Sequence, residues 1–250
     1  MSNIITESFY LPSKGKLYDI GDGRVDLSSM TTEHELRRLS HSELPYSSMC
    51  EILDECITNE IGISSYDMCI GDYQFLLYKL RVVTYGGDYP LVTKCPFCGY
   101  ENHDTLNLDE LPVIEYSDEA EKYYEVDLPK TGSHIRLRMS TPRLLDMATS
   151  KANEHKKRVK NLTFDPLPLY TIAVLIDTID GKVPNDLTIA DWVRKLPMMD
   201  TQVILAQAEK LNGSVGINID LSHTCELCGF EYNSKFKPDA EFFRPTIDIV

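Results

Sequence analysis

The chain has 250 residues, 42% of them hydrophobic, with a net charge of −14 and a pI near 4.8. That is enough apolar material for one large core or two small ones, and the acidic balance argues against a nucleic-acid partner, because phosphate binding relies on Lys and Arg. No apolar run approaches the roughly 18–20 residues that cross a bilayer, and Met1–Glu7 lacks the basic and apolar regions of a signal peptide, so a reducing cytoplasm and no membrane contact are expected.

Residues 1–30 read as an extended, weakly β N-terminal arm. Phe9-Tyr10-Leu11-Pro12-Ser13-Lys14-Gly15-Lys16-Leu17-Tyr18 mixes aromatics with Pro and Gly, and turns are expected at Pro12–Gly15 and Gly21-Asp22-Gly23. Phe9, Tyr10, Leu11 and Tyr18 have little local material to pack on, so they dock either on the body of the chain or on a partner. Lys14-Gly15-Lys16 lacks the spacing of a phosphate loop.

Residues 31–87 read as a small helical unit. Thr32-Glu33-His34-Glu35 has the form of a capping box that opens a helix to about Ser40, and Ser48-Met49-Cys50-Glu51 that of a second. His34-Glu35-Leu36-Arg37-Arg38 misses the metalloprotease motif, because Arg38 stands where the second His is required. A third helix is expected from Asp72, with Phe75, Leu76, Leu80 and Val83 at helical spacing, ending near Gly86-Gly87. Cys50, Cys56 and Cys69 have apolar neighbours and suit buried, small-hydrophobe roles.

Pro90–Lys94 leads as a strand into Cys95-Pro96-Phe97-Cys98-Gly99-Tyr100-Glu101, and Thr105–Leu108 leaves it. Much later Gly216–Leu221 leads into Cys225-Glu226-Leu227-Cys228-Gly229-Phe230-Glu231, and the strand from Glu231 to Phe236 leaves. Between them, Tyr124, Val126 and Leu128 alternate with polar residues, as do Ile135, Leu137 and Met139, with a turn at Pro129–Ser133: a β-hairpin. His134, Arg136 and Arg138 then share a solvated face. Thr141-Pro142 starts a helix expected to reach about Lys160, whose basic end sits well at a helix C-terminus. Leu169–Ile176, continuing to Ile179, reads as a buried helix, with a buried strand as the alternative. Thr188 is expected to cap a helix carrying Trp192, and Asp200 a last one ending at Gly213.

Each cysteine pair is a Cys-x-x-Cys-Gly-aromatic-Glu unit. Two such turns supply four thiolates, the soft tetrahedral set of a closed structural zinc site, so Cys95, Cys98, Cys225 and Cys228 are expected to bind one Zn²⁺. A thioredoxin-like redox pair calls for one motif at a helix start, not two copies, and disulfides within each turn suit an oxidising compartment. Zinc ribbons usually separate their pairs by roughly 15–20 residues; here residues 99–224 intervene, 126 in all. The chain must leave the ribbon, build something substantial and return.

The expected fold is therefore α+β: a mainly helical body with a β-hairpin, bracketed by a split four-cysteine zinc ribbon, behind an extended N-terminal arm. The arm is 1–30, the helical unit 31–87, the split ribbon 88–110 with 214–243, and the inserted hairpin and helical bundle 111–213. No Gly-x-Ser-x-Gly, glycine-rich nucleotide loop or second-His metal motif occurs, and four cysteine ligands leave no open metal position, so no enzyme is expected.

The order of motifs resembles the baseplate hub assembly proteins of T4-like contractile-tailed phages. The resemblance is carried by Tyr10–Gly15, Gly71-Asp72-Tyr73-Gln74-Phe75-Leu76-Leu77, Leu80-Arg81, Tyr85-Gly86, Cys95–Gly99, Asp177-Thr178-Ile179-Asp180-Gly181, the second cysteine pair and Phe242-Phe243. It implies a non-enzymatic late protein, made in the host cytoplasm and acting in the virion's tail baseplate as hub component or assembly factor, with other tail proteins as partners. Phe9, Tyr10, Leu11, Tyr18, Phe242 and Phe243 are the expected partner contacts, since aromatics are enriched among interface anchors, with packing of both groups on this chain's own body as the equal alternative. A zinc-ribbon adaptor in transcription or nucleic-acid handling is the alternative, and the acidic charge counts against it.

Overall fold

The computed structural model describes residues 5–18, 20–160, 162–185, 188–236, 238 and 242–243. These form a mixed α/β fold of eight helices, one of them 3-10, and small antiparallel sheets. No described helix is long and apolar enough to cross a membrane.

The N-terminal segment folds back on itself where an extended arm was expected. β1 (Thr6–Tyr10) pairs with β2 (Arg24–Ser28), Thr6 opposite Ser28 and Tyr10 opposite Arg24. Val25 and Leu27 point into the body and are fully buried, as is Leu11. The expected turns form between the strands, and polar atoms fasten them down: Ser13 N donates to Asp72 Oδ1 (3.0 Å) and Cys69 N to the Tyr18 hydroxyl (2.6 Å).

Three helices follow: α1 (Thr32–Arg38), α2 (Pro45–Cys56) and α3 (Ile70–Tyr85). The cap of α1 is Thr31, one residue earlier than expected. Its hydroxyl accepts from His34 N, and His34 Nδ1, not a glutamate, accepts from Thr31 N at 3.1 Å. Ser48 caps nothing, because α2 starts at Pro45. The amides of Tyr46 and Ser47 donate to Asp146, 100 and 99 residues away, at 3.3 and 2.7 Å. α3 begins at Ile70, two residues before the expected Asp72, and its C-cap is Gly86.

β3 (Asp88–Lys94) and β4 (Glu101–Asn107) form the first cysteine hairpin; β10 (Asp220–Thr224) and β11 (Glu231–Lys235) form the second. The single strand expected over 216–221 is two. β9 (Gly216–Ile217) pairs with β5 (Val113–Ile114), whereas β10 pairs with β11. Between β5 and the expected β-hairpin, β6 (Glu125–Asp127) and β7 (His134–Leu137), lies the 3-10 helix Asp118–Tyr123.

The long apolar run is both things the sequence allowed. It is helix α5 from Leu167 to Leu175 and then strand β8 from Ile176 to Ile179. The β-branched Ile176, Thr178 and Ile179 favour the strand, and Ile179 pairs with Ile135 and Ile176 with Leu137 to make a three-stranded sheet, β6-β7-β8.

α4 (Pro142–Arg158) is capped as expected, Thr141 Oγ1 accepting from Leu144 N at 3.2 Å, and Lys156 near its end pairs with Asp165 at 3.0 Å. α6 (Ile189–Lys195) follows Thr188, whose hydroxyl donates to Asn185 O and caps no amide. α7 (Met198–Asn212) starts after Pro197, so Asp200 lies inside its first turn. The Asp200 carboxylate instead accepts from Lys130 N (2.8 Å) and Thr131 N (2.9 Å) in the turn of the β6-β7 hairpin.

Two apolar clusters result. One surrounds α3 through Tyr73, Leu76 and Leu80, and takes in Leu11, Val25, Leu27, Ile52, Leu53 and the aromatics Phe236, Phe242 and Phe243. The other joins Ile135, Leu137, Leu175, Ile176, Ile204 and Leu211. α3 and β9 meet at Gly71 and Gly216, where a Cβ on Gly71 would stand 2.2 Å from Val215 O.

Two buried carboxylates can be probed by substitution. Asp146 serves the start of α2. Asp146→Ala is expected to cost roughly 2–4 kcal/mol in urea unfolding, since two amides lose a charged acceptor. At Asp200, burial favours the neutral acid, but the amides of Lys130 and Thr131 outweigh it and hold the carboxyl below its ordinary 3.8. A depressed native value means a contribution present above about pH 4 and lost as pH falls through that value. The stability gap between wild type and Asp200→Asn is therefore expected at pH 7 and should close on acidification; a gap that is flat with pH would refute it.

Candidate metal centre

The two cysteine turns are built alike. Cys95 N donates to Tyr100 O and Gly99 N to Cys95 O, at 2.9 and 3.0 Å; Cys225 N donates to Phe230 O and Gly229 N to Cys225 O, both at 2.9 Å. Gly99 has φ 76° and Gly229 φ 70°, a region that favours glycine over every residue with a Cβ. Each turn thus aims its two sulfurs at one point.

The turns come together across the 126 residues, 99 to 224, that separate them in sequence. Sγ of Cys95 lies 3.9 Å from that of Cys228, and Sγ of Cys98 lies 3.6 Å from that of Cys225. All four sulfurs fall within 4.8 Å of one another. A tetrahedral ion with Zn–S bonds of about 2.3 Å needs sulfurs about 3.8 Å apart, so the four fit such an ion, and the all-thiol donor set is the soft one that zinc takes. Burial works against a thiolate at Cys225, but the amides of Cys228 and Leu227 draw its thiol down to about 7. Cys228 receives help from Phe230 N, yet burial and the neighbouring sulfurs push it up to about 12. Four adjacent sulfurs do not all ionise without a cation among them.

Polar side chains tie the hairpins together beside the sulfurs. Asn102 is 2% exposed. Its Oδ1 accepts from Glu226 N at 2.9 Å and its Nδ2 donates to the Tyr232 hydroxyl at 2.9 Å. That hydroxyl also bonds Thr93 Oγ1 at 2.8 Å. Tyr232 stacks on His223, which bonds Ser234. Sequence reasoning missed this cross-tie. A signal was present: Asn102 and Tyr232 each stand seven residues after the first cysteine of their copy, so superposing the copies pairs them.

The six expected partner contacts differ in exposure. Leu11, Phe242 and Phe243 are buried in the α3 cluster, where Phe242 O accepts from Arg81 Nε at 2.9 Å. Phe9 packs edge-on against Phe75, ring centroids 6.5 Å apart, and Tyr18 is partly buried. Tyr10 is 56% exposed. Leu11, Phe242 and Phe243 are thus covered by this chain, and Phe9 and Tyr18 are half-covered, because they pack around the apolar face of α3. Cys50, Cys56 and Cys69 are buried, and burial pushes their thiols up to about 12, 11 and 12.

Compared with known proteins, residues 1–244 match the family described as T4 bacteriophage base plate protein. No curated protein and no solved structure matches the chain.

Asn102→Ala is expected to lower stability by roughly 2–3 kcal/mol, because it leaves the Glu226 amide without its acceptor and takes one of two partners from the Tyr232 hydroxyl. Tyr232→Phe should cost less, near 1 kcal/mol, since Asn102 keeps its bond to Glu226 N. Equal effects in a denaturant titration would contradict the cross-tie.

Proposed function

Because the chain belongs to the T4 bacteriophage base plate protein family, we propose that it works at the hub of a contractile-tail baseplate, as a structural component or assembly factor without enzymatic activity. Cys95, Cys98, Cys225 and Cys228 hold one structural zinc ion in this reading. The family match carries the assignment: it runs over 1–244 and so includes both cysteine pairs. The partners are other tail proteins of the same virion, met in the host cytoplasm during assembly.

A structural ion suits that task. Zinc on four thiolates leaves no position for water or substrate, so it fastens and does not catalyse. Its binding contributes on the order of 10 kcal/mol to joining the two hairpins, and the length of the loop it closes adds little, because closure entropy grows logarithmically. The net charge of −14 disfavours nucleic acid as the partner.

Two measurements test the proposal. Purified chain is expected to carry one zinc per molecule, and Cys225→Ser to lose most of it together with several degrees of Tm; a metal-free native protein with all four thiols titratable overturns the zinc assignment. In infected cells lacking the chain, baseplates should fail to complete. Fixed stoichiometry in purified baseplates marks a component, presence only in intermediates marks an assembly factor, and normal baseplates without the chain would overturn the assignment.

A further inference from the structure

The tip of the paired hairpins carries an apolar surface that holding an ion does not require. Phe97 and Leu227 occupy the same place in the two cysteine turns, and Tyr100 and Phe230 come directly after the two glycines. Phe97 is 73% exposed, Leu227 67%, Phe230 43% and Tyr100 38%. Phe97 and Phe230 stack with centroids 5.5 Å apart and planes 19° apart, so the two turns present one shared face. A single exposed hydrophobe needs no explanation, but four large ones on adjoining turns mark a contact surface. Aromatic side chains held on a fixed backbone are the usual anchors of interfaces.

Charge narrows the occupant. Glu101, Glu226 and Glu231 are exposed next to these side chains in the chain, against one cation, Lys94. Four thiolates around a divalent ion add a net double negative charge. A second copy of the same tip would set like charges face to face around the apolar centre, which opposes self-association. The geometry points to a protein with an apolar patch rimmed by Lys and Arg: Phe97, Leu227, Tyr100 and Phe230 enter the patch, and the three glutamates meet the rim. That this protein belongs to the tail rests on the base plate reading; its chemistry rests on the tip itself.

The test uses the full metal-loaded chain and two peptides of one shape, acetyl-Lys-Leu-Trp-Leu-Lys-amide and acetyl-Glu-Leu-Trp-Leu-Glu-amide, followed by the Phe97 and Phe230 ring signals in NMR titrations. The cationic peptide is expected to bind at least about tenfold more tightly at low salt, and the gap to shrink at high salt as surface charge is screened. The double variant Phe97→Ser with Leu227→Ser should keep metal content and Tm and lose the binding. No saturable binding, equal binding of the two peptides, or binding unchanged in the double variant overturns the proposal. In infected cells the double variant should cut infectious yield about tenfold or more relative to Val183→Ser, whose site is 78% exposed elsewhere on the surface; a yield equal to that control overturns the surface's role in assembly. If removing the whole chain leaves tails intact, the base plate reading fails, and the peptide titration still decides the chemistry of the tip.

Discussion

The structure depends on two short hairpins meeting after the chain has travelled through 126 residues, from 99 to 224. Neither hairpin is stable alone, because two strands bury too little surface. Together they converge four sulfurs and share the Asn102–Tyr232 bond. The return of the second hairpin also positions the aromatics beyond its last strand. Phe236 and Phe242 pack against Tyr78 and Tyr89 with ring centroids 5.2–5.8 Å apart. Arg81 binds the carbonyls of Phe242, Gly86 and Asp88, so one cation links the end of α3, the start of the first hairpin and the C-terminal aromatics.

Buried carboxylates do comparable work elsewhere. Asp72 takes the amide of Ser13, Asp146 the amides of Tyr46 and Ser47, and Asp200 those of Lys130 and Thr131. Each lies on one helix and serves the backbone of a segment 59 to 100 residues away. An acidic chain thus spends part of its negative charge internally, on amides that no local partner satisfies. These bonds join the N-terminal turns to α3, α2 to α4, and the β6-β7 hairpin to α7.

Contact with another protein calls for large side chains presented on a fixed backbone; Tyr10 remains exposed, whereas Phe242 and Phe243 are buried within this chain. The cysteine turns are well suited. Their backbone is fixed by internal hydrogen bonds, their cores are sulfur, and their remaining large side chains face outward. A rigid presentation lowers the entropy cost of binding.

The local features were legible in the residue pattern alone. Two matched Cys-x-x-Cys-Gly units named the four sulfurs that meet, Thr141-Pro142 started α4, Gly213 ended α7, and the alternation around Pro129–Ser133 marked the hairpin. These are set by spacing and by backbone preference within a few residues. Tertiary pairing settled where the apolar run 169–179 turns from helix to strand, because the partners of Ile176 and Ile179 on β7 lie 39 and 44 residues away in sequence. Tertiary structure likewise decided that Asp146, not Ser48, serves α2, and that Phe242 and Phe243 face inward. A cap, a strand partner or an apolar face supplied from far along the chain leaves no mark in the local pattern, since nothing nearby has to change to receive it.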